Sequence, residues 1–134
     1  MITFTTEEEE FLKSLEECRI ATVNDSIPHV KPVSYIFEND AFYVATDYDT
    51  RTFRNLKKNQ KTALVVDIYK HGGHKAVCIQ GKSTIIESGK KFQDTYSKFH
   101  EKFEWVRKEP WKENEAPFLE IIPFTKVSWG INKD

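Results

Sequence analysis

The sequence predicts a mainly β domain, an antiparallel barrel or sandwich with a few helices at its periphery. Three observations carry this reading. Six or seven short runs rich in Val, Ile, Tyr and Phe follow one another, separated by turn-forming residues. Only three segments space their apolar residues at helical intervals. Two of the β runs, 62–69 and 76–86, are apolar on both faces: Leu64, Val66 and Ile68 oppose Ala63, Val65 and Tyr69, while Val77 and Ile79 oppose Ala76 and Cys78. A sheet with one wet face alternates apolar and polar residues. The outer face of these strands must therefore be covered, and in a chain of 134 residues a second copy is the readiest cover.

Each element has its own signature. Thr6 followed by Glu9 is a capping-box pattern, and Phe11, Leu12 and Leu15 continue it, so a helix is expected over 7–17. Its acidic first turn suits the positive end of the helix dipole. A strand over 19–23 leads to the turn Asn24-Asp25-Ser26, and strands 29–37 and 41–46 form a hairpin around Asn39-Asp40. Thr50 is a candidate N-cap for a helix over 50–58 with Phe53 and Leu56 inward. Strands 62–69 and 76–87 flank the loop 70–75, and Gly81 marks a bulge or a bend. A longer helix over 89–108 packs through Phe92, Tyr96, Phe99 and Phe103, and strands 118–122 and 126–131 close the set. Repeats and linkers are absent, so a single domain over 1–134 is expected.

Charge and motifs narrow the function classes. Twenty basic against 21 acidic residues give a net charge of −1, without the positive excess of a nucleic-acid binder. The longest apolar runs, such as 63–66, are too short to span a bilayer. Neither nucleic acid nor membrane is an expected partner, and a cytoplasmic, reduced protein is expected. Cys18 and Cys78 read as buried small hydrophobes. G-x-S-x-G, Walker, G-x-G-x-x-G and H-E-x-x-H patterns are missing, and no catalytic residue is assigned. His71 and His74 lie in a Gly-hinged loop without companion ligands, so no metal is expected.

The segment 47–55 carries the chemistry that remains. A strand ends at Thr46, and a helix opens at Thr50-Arg51-Thr52. Its first-turn N–H groups, the hydroxyls of Thr50 and Thr52, and the guanidinium groups of Arg51 and Arg54 would make a phosphate cradle. The same residues also read as a capped helix with a solvated basic face. Arg51, Arg54, Lys57, Lys58 and Lys61 form one small basic patch, which suits a single phosphate-bearing ligand better than a polymer.

Taken in order, Cys18-Arg-Ile-Ala-Thr-Val23, Pro28-His-Val-Lys-Pro-Val33, Phe42-Tyr-Val-Ala-Thr46, Thr50-Arg-Thr-Phe-Arg-Asn-Leu56, Ala63-Leu-Val-Val-Asp67, Val77-Cys-Ile-Gln-Gly81 and Val127-Ser-Trp-Gly130 resemble the pyridoxamine-5′-phosphate-oxidase-like family, the flavin-binding split barrels. The resemblance covers the chain from about Arg19 to Ile131. It implies a six-stranded antiparallel Greek-key split barrel with peripheral helices, which dimerises and holds two flavins in clefts between subunits. It places cofactor contacts on His29, Val30, Lys31, Pro32, Val33 and Ser34, on Ala45 and Thr46, on the phosphate motif Thr50-Arg51-Thr52, and on Trp129. Thr52 stands where that motif has Lys, with Lys31 and Arg54 as candidates for the missing charge. A family glutamine falls at Ala76, with Gln80 as its substitute.

The implied activity is that of an FMN-dependent oxidoreductase passing hydride or electrons to or from a small organic substrate. Vitamin B6 oxidases of the family hold the substrate phosphate with Arg and His near the C-terminus. No Arg or His follows Arg107 here, so that substrate is not expected. A deazaflavin reductase is the alternative of the same class. A non-catalytic carrier or sensor of flavin or haem is the alternative of another class, with His29, His71, His74 and His100 as candidate axial ligands.

Overall fold

The computed structural model describes residues 2–132. Helix α1 (Thr6–Ser14) leads into β1 (Glu17–Asn24), β2 (Ile27–Glu38) and β3 (Ala41–Ala45). Helix α2 (Arg51–Lys58), β4 (Lys61–Ile68) and β5 (Lys75–Ile86) follow, then α3 (Gly89–Lys102), α4 (Glu104–Lys108) and β6 (Phe118–Trp129). The six strands close a barrel in the order β1-β2-β3-β6-β5-β4, every pair antiparallel. The mainly β barrel with peripheral helices is thus the observed architecture.

Two-residue turns set the hairpin registers. Asp25 and Ser26 (φ 50° and 64°) join Asn24 to its partner Ile27, and Asn39 and Asp40 (φ 51° and 62°) join Glu38 to Ala41. Paired positive φ values match the right-handed strand twist, and Asn and Asp tolerate them best. The barrel interior holds Cys18, Ile20, Tyr35, Phe42, Val44, Leu64, Val66, Val77, Ile79, Leu119 and Ile121, all at most 3% exposed.

A second core lies outside the barrel. Ile36, Ile86 and Phe118 on the outer face pack against Phe92, Phe99 and Phe103 from α3 and its C-cap, and Val106 from α4. Those helices cover one side of the barrel and leave the other side bare.

Three expectations are corrected. The helix cap is Thr5 rather than Thr6. Its hydroxyl accepts from Glu8 N–H, and the Glu8 carboxylate accepts in return from Thr5 N–H. The selecting force is tertiary. Glu8 is 1% exposed and also accepts from Lys126 Nζ (2.7 Å), Ser128 Oγ (2.5 Å) and Asn132 Nδ2 (3.2 Å). The helix then stops at Ser14, because Leu15 is extended and β1 begins at Glu17.

The closing pair of strands is one strand, β6. Pro123 lies where the ladder between β5 and β6 shifts at Gln80/Gly81, so its missing N–H falls on a bulge. Gly81 is required there, since a Cβ would stand 2.7 Å from the Ile122 carbonyl oxygen.

The long helix breaks at Phe103, which is extended (φ −116°, ψ 122°) and caps α3 through Phe103 N–H to Phe99 O. Phe103 is 2% exposed in the second core, and the preceding Lys102 donates to the Leu15 and Tyr35 carbonyls. Burial of Phe103 and the two bonds of the half-buried Lys102 favour the break over another helical turn.

Candidate functional site

The start of α2 is fixed by a chain of hydroxyls. Thr50 is the N-cap, its Oγ1 accepting from Phe53 N–H (3.2 Å) and donating to Asp47 O (2.8 Å). With its one proton given to Asp47, Thr50 takes the Thr46 hydroxyl as donor at 3.0 Å. Thr52 is 0% exposed, and its Oγ1 has no partner among the described residues. The hydroxyls expected to complete a phosphate cradle are therefore committed or buried.

Backbone and guanidinium groups remain. Of the first helical N–H groups, those of Phe53 and Arg54 are taken by Thr50, leaving those of Arg51 and Thr52 at the positive end of the helix. The helix is anchored beneath by Asn55 Nδ2, which donates to Thr22 Oγ1 at 3.0 Å inside the barrel mouth.

A cavity of about 620 Å³ opens over this helix. Arg51, Arg54, Lys57, Lys58 and His29 line it, with Asn24 and Ile27 at its edge. Arg54 also donates to Asp49 O at 2.7 Å. Lys31 does not line this cavity, so Arg54 is the candidate the structure brings to the α2 start.

The bare side of the barrel is a ladder of outward side chains. Strand register sets Pro32, Arg19, Val65, Cys78 and Val127 in one row and Val30, Ala21, Ala63, Gln80 and Thr125 in the next. Val30 is 64% and Val127 61% exposed. A groove of about 450 Å³ runs through these rows and includes Val30 and Gln80.

At the other end of β1 lies a cavity of about 580 Å³ containing Trp129. His74 packs edge-on between Tyr69 and Trp129, with centroids 4.5 and 5.7 Å apart. Glu16, Glu17 and Asp67 make the lining acidic, offset by Arg19, which lies 3.9 Å from Asp67. Gly130 holds the strand end against the loop. Its φ is +74°, and a Cβ would sit 2.1 Å from the His74 carbonyl oxygen.

The expected cofactor residues thus fall on different surfaces of one protomer. His29, Arg51 and Arg54 meet in the basic cavity, Val30 and Gln80 in the apolar groove, Trp129 in the acidic aromatic cavity, and Ala45 and Thr46 in a fourth hollow of about 350 Å³. Cross-strand pairing puts His29, Lys31 and Val33 on the face of Thr22, Ile20 and Cys18, whereas Val30 and Pro32 share the outer face with Ala21 and Arg19. Val33 is buried in the core, and Ser34 is half-buried on β2. No sequence signal pointed to Asn55 or Gly130 as supports for these surfaces. The Thr22–Asn55 bond and the His74–Gly130 approach are long-range contacts.

Comparison with known proteins locates the fold. The sequence matches the family described as pyridoxamine 5′-phosphate oxidase over residues 4–123. No curated protein matches the chain. Among solved structures, it is similar to HutZ, the heme storage protein from Vibrio cholerae, at 14% identity and a TM-score of 0.81 over 92% of each chain. It is similar also to Rv2991 from Mycobacterium tuberculosis, at 15% identity and TM-score 0.80, covering 96% of this chain and 85% of that one. A FAD-binding protein from Mesorhizobium loti shares 16% identity at TM-score 0.74, with 93% of this chain and 94% of the other covered. At such identities the likeness is one of fold.

Proposed function

This chain belongs to the pyridoxamine 5′-phosphate oxidase family, and on that premise we propose that it binds FMN in a cleft between two copies of itself and passes hydride or electrons to or from a small organic substrate. The observation that carries the proposal is the basic cavity over α2. It combines free helix N–H groups with Arg51 and Arg54 beside an apolar face. The donor set suits a phosphate, although the family lysine is replaced by the buried Thr52.

The bare outer face supports the second copy. β1 runs from the acidic aromatic cavity at Glu17 and Arg19 to the basic cavity at Asn24. The two cavities thus flank the groove at opposite ends. A two-fold pairing of this face would bring the basic cavity of one subunit toward the partner's Trp129, with complementary charge. That arrangement would gather into one cleft the basic cavity, the apolar groove and Trp129, which a single protomer holds apart. An obligate interface of this kind typically buries more than about 2,000 Å².

When bound, flavin supplies the hydride chemistry. The chain's own part is to fix the phosphate at Arg51, to exclude water along Val30 and Ala21, and to wall the ring with an aromatic side chain. The test is titration of the purified protein into FMN, followed by quenching of flavin fluorescence. Saturation at one FMN per protomer is expected, and an unquenched signal at equal concentrations refutes the proposal. Absorbance of the protein as purified separates the alternatives: a deazaflavin spectrum or a Soret band in place of a flavin spectrum would replace FMN as the ligand.

A further inference from the structure

Helix α4 and the loop that joins it to β6 build a hollow over Ala45 and Thr46, apart from the basic cavity and the apolar groove on which the flavin proposal rests. Trp105 and Trp111 stand over Ala45 and Thr46 at the end of β3, enclosing about 350 Å³. The two indole planes are 6° from parallel, with centroids 5.9 Å apart. Trp111 is clamped, its Nε1 donating to Ala116 O at 3.1 Å and its backbone N–H to the Tyr96 hydroxyl at 3.3 Å. Trp105 stays 41% exposed at the hollow's edge, a large apolar surface left in water.

Everything charged in the lining is negative. Asp47, Glu109 and Glu115 border the indoles, and among the described residues no Lys or Arg joins them. Among the described residues, none of the three carboxylates is in an ion pair. The neighbouring Lys108 is engaged by Glu104 at 3.2 Å. Among the described residues Glu115 accepts only a backbone N–H, from Lys112 at 2.6 Å. Three like charges around a small hollow repel one another, and the faces of the indoles carry negative potential as well. A cation relieves both.

The lining also selects the kind of cation. Calcium and magnesium need six or more converging oxygens, whereas Trp105, Trp111, Ala45 and Ala116 give this wall an apolar part whose side chains offer none. An alkylammonium group suits it, since it meets aromatic faces through cation–π attraction and carboxylates through charge. The volume falls in the range of small-ligand sites, at its lower end. We propose that the Trp105–Trp111 hollow binds a small organic cation of the alkylammonium class. The inference does not rest on the flavin reading.

Choline and its neutral isostere 3,3-dimethylbutan-1-ol test it, with binding read by calorimetry on the full chain. Choline should bind saturably and at least roughly tenfold more tightly than the isostere, because only the charge differs between them. Glu109→Gln and Asp47→Asn alter exposed side chains and should leave the fold intact while weakening choline roughly threefold or more each. Trp105→Leu should weaken it further, and Trp105→Phe, which keeps a ring, should fall between. Prior saturation with FMN should leave choline affinity unchanged. Absence of saturable choline binding, equal affinity for the isostere, or indifference to Glu109→Gln and Trp105→Leu would overturn the proposal. Displacement of choline by FMN would also overturn it, since the hollow would then belong to the cofactor.

Discussion

Replacement of Arg51 by alanine isolates the phosphate contact, because the side chain does nothing else. Among the described residues it makes no ion pair and no side-chain hydrogen bond, and it is exposed at the first position of α2. Loss of a surface side chain without partners leaves stability within about 0.5 kcal/mol. Loss of a charge-assisted bond to a phosphate costs about 1.5–3 kcal/mol. The lower end applies here, since Arg51 is exposed and Arg54, Lys57 and Lys58 stay in the same cavity. FMN affinity should therefore fall about tenfold for about 1.4 kcal/mol. Arg51→Lys should recover about half of that on a logarithmic scale, because an ammonium cannot make the two-pronged contact. The assay is fluorescence quenching at two salt concentrations, with chemical denaturation as control. Equal dissociation constants for wild type and Arg51→Ala, or a loss of affinity that tracks a loss of stability, would refute the phosphate placement.

Other perturbations probe the frame around the site. Burial pushes the Glu8 carboxyl up, but the bonds from Lys126, Ser128, Thr5 and Asn132 outweigh it and hold its pKa at about 2, below the ordinary 4.5. A depressed carboxyl contributes stability that is complete above its unfolded value and is lost as pH falls from about 4.5 toward 2. Glu8→Gln should cost about 1–3 kcal/mol at neutral pH and flatten the acid limb of the stability curve, as measured by urea unfolding. Gly130→Ala should destabilise by about 1–3 kcal/mol and shift Trp129 fluorescence, because the added methyl meets the His74 carbonyl. Burial pushes the Cys18 thiol up to about 12, so it should resist thiol reagents until the protein unfolds. Cys78, half-exposed on the bare face, should be protected at micromolar concentration and react faster on dilution, if two copies cover that face. Ala21→Glu should make the protein monomeric by sedimentation, since it places charge at the centre of the same face.

Local chemistry made most of the elements legible. The two-residue turns, the Thr50 cap and the doubly apolar strands all correspond to what the structure shows. The misread points are places where a distant contact chose between local equals. Thr5 and Thr6 both precede a glutamate by three residues, and only Lys126, Ser128 and Asn132 select Glu8. Pro123 reads as a strand end until the bulge opposite Gly81 absorbs it. The 4-3-4 stripe from Phe92 runs on to Phe103, yet burial of Phe103 and the bonds of Lys102 end the helix there. At the site, sequence proximity misled in another way. His29 and Val30 are neighbours in the chain but face opposite sides of β2. The order of residues cannot show that division, because it depends on strand pairing.

Comparison of FMN with riboflavin tests the central claim most directly, since the two ligands differ only in the phosphate. Both are titrated with the wild-type protein under the same salt and followed by flavin fluorescence. With the phosphate held by Arg51 and the α2 N–H groups, riboflavin should bind at least about tenfold more weakly, and the gap should close in Arg51→Ala. Equal affinity for the two ligands, unchanged by Arg51→Ala, would contradict the account.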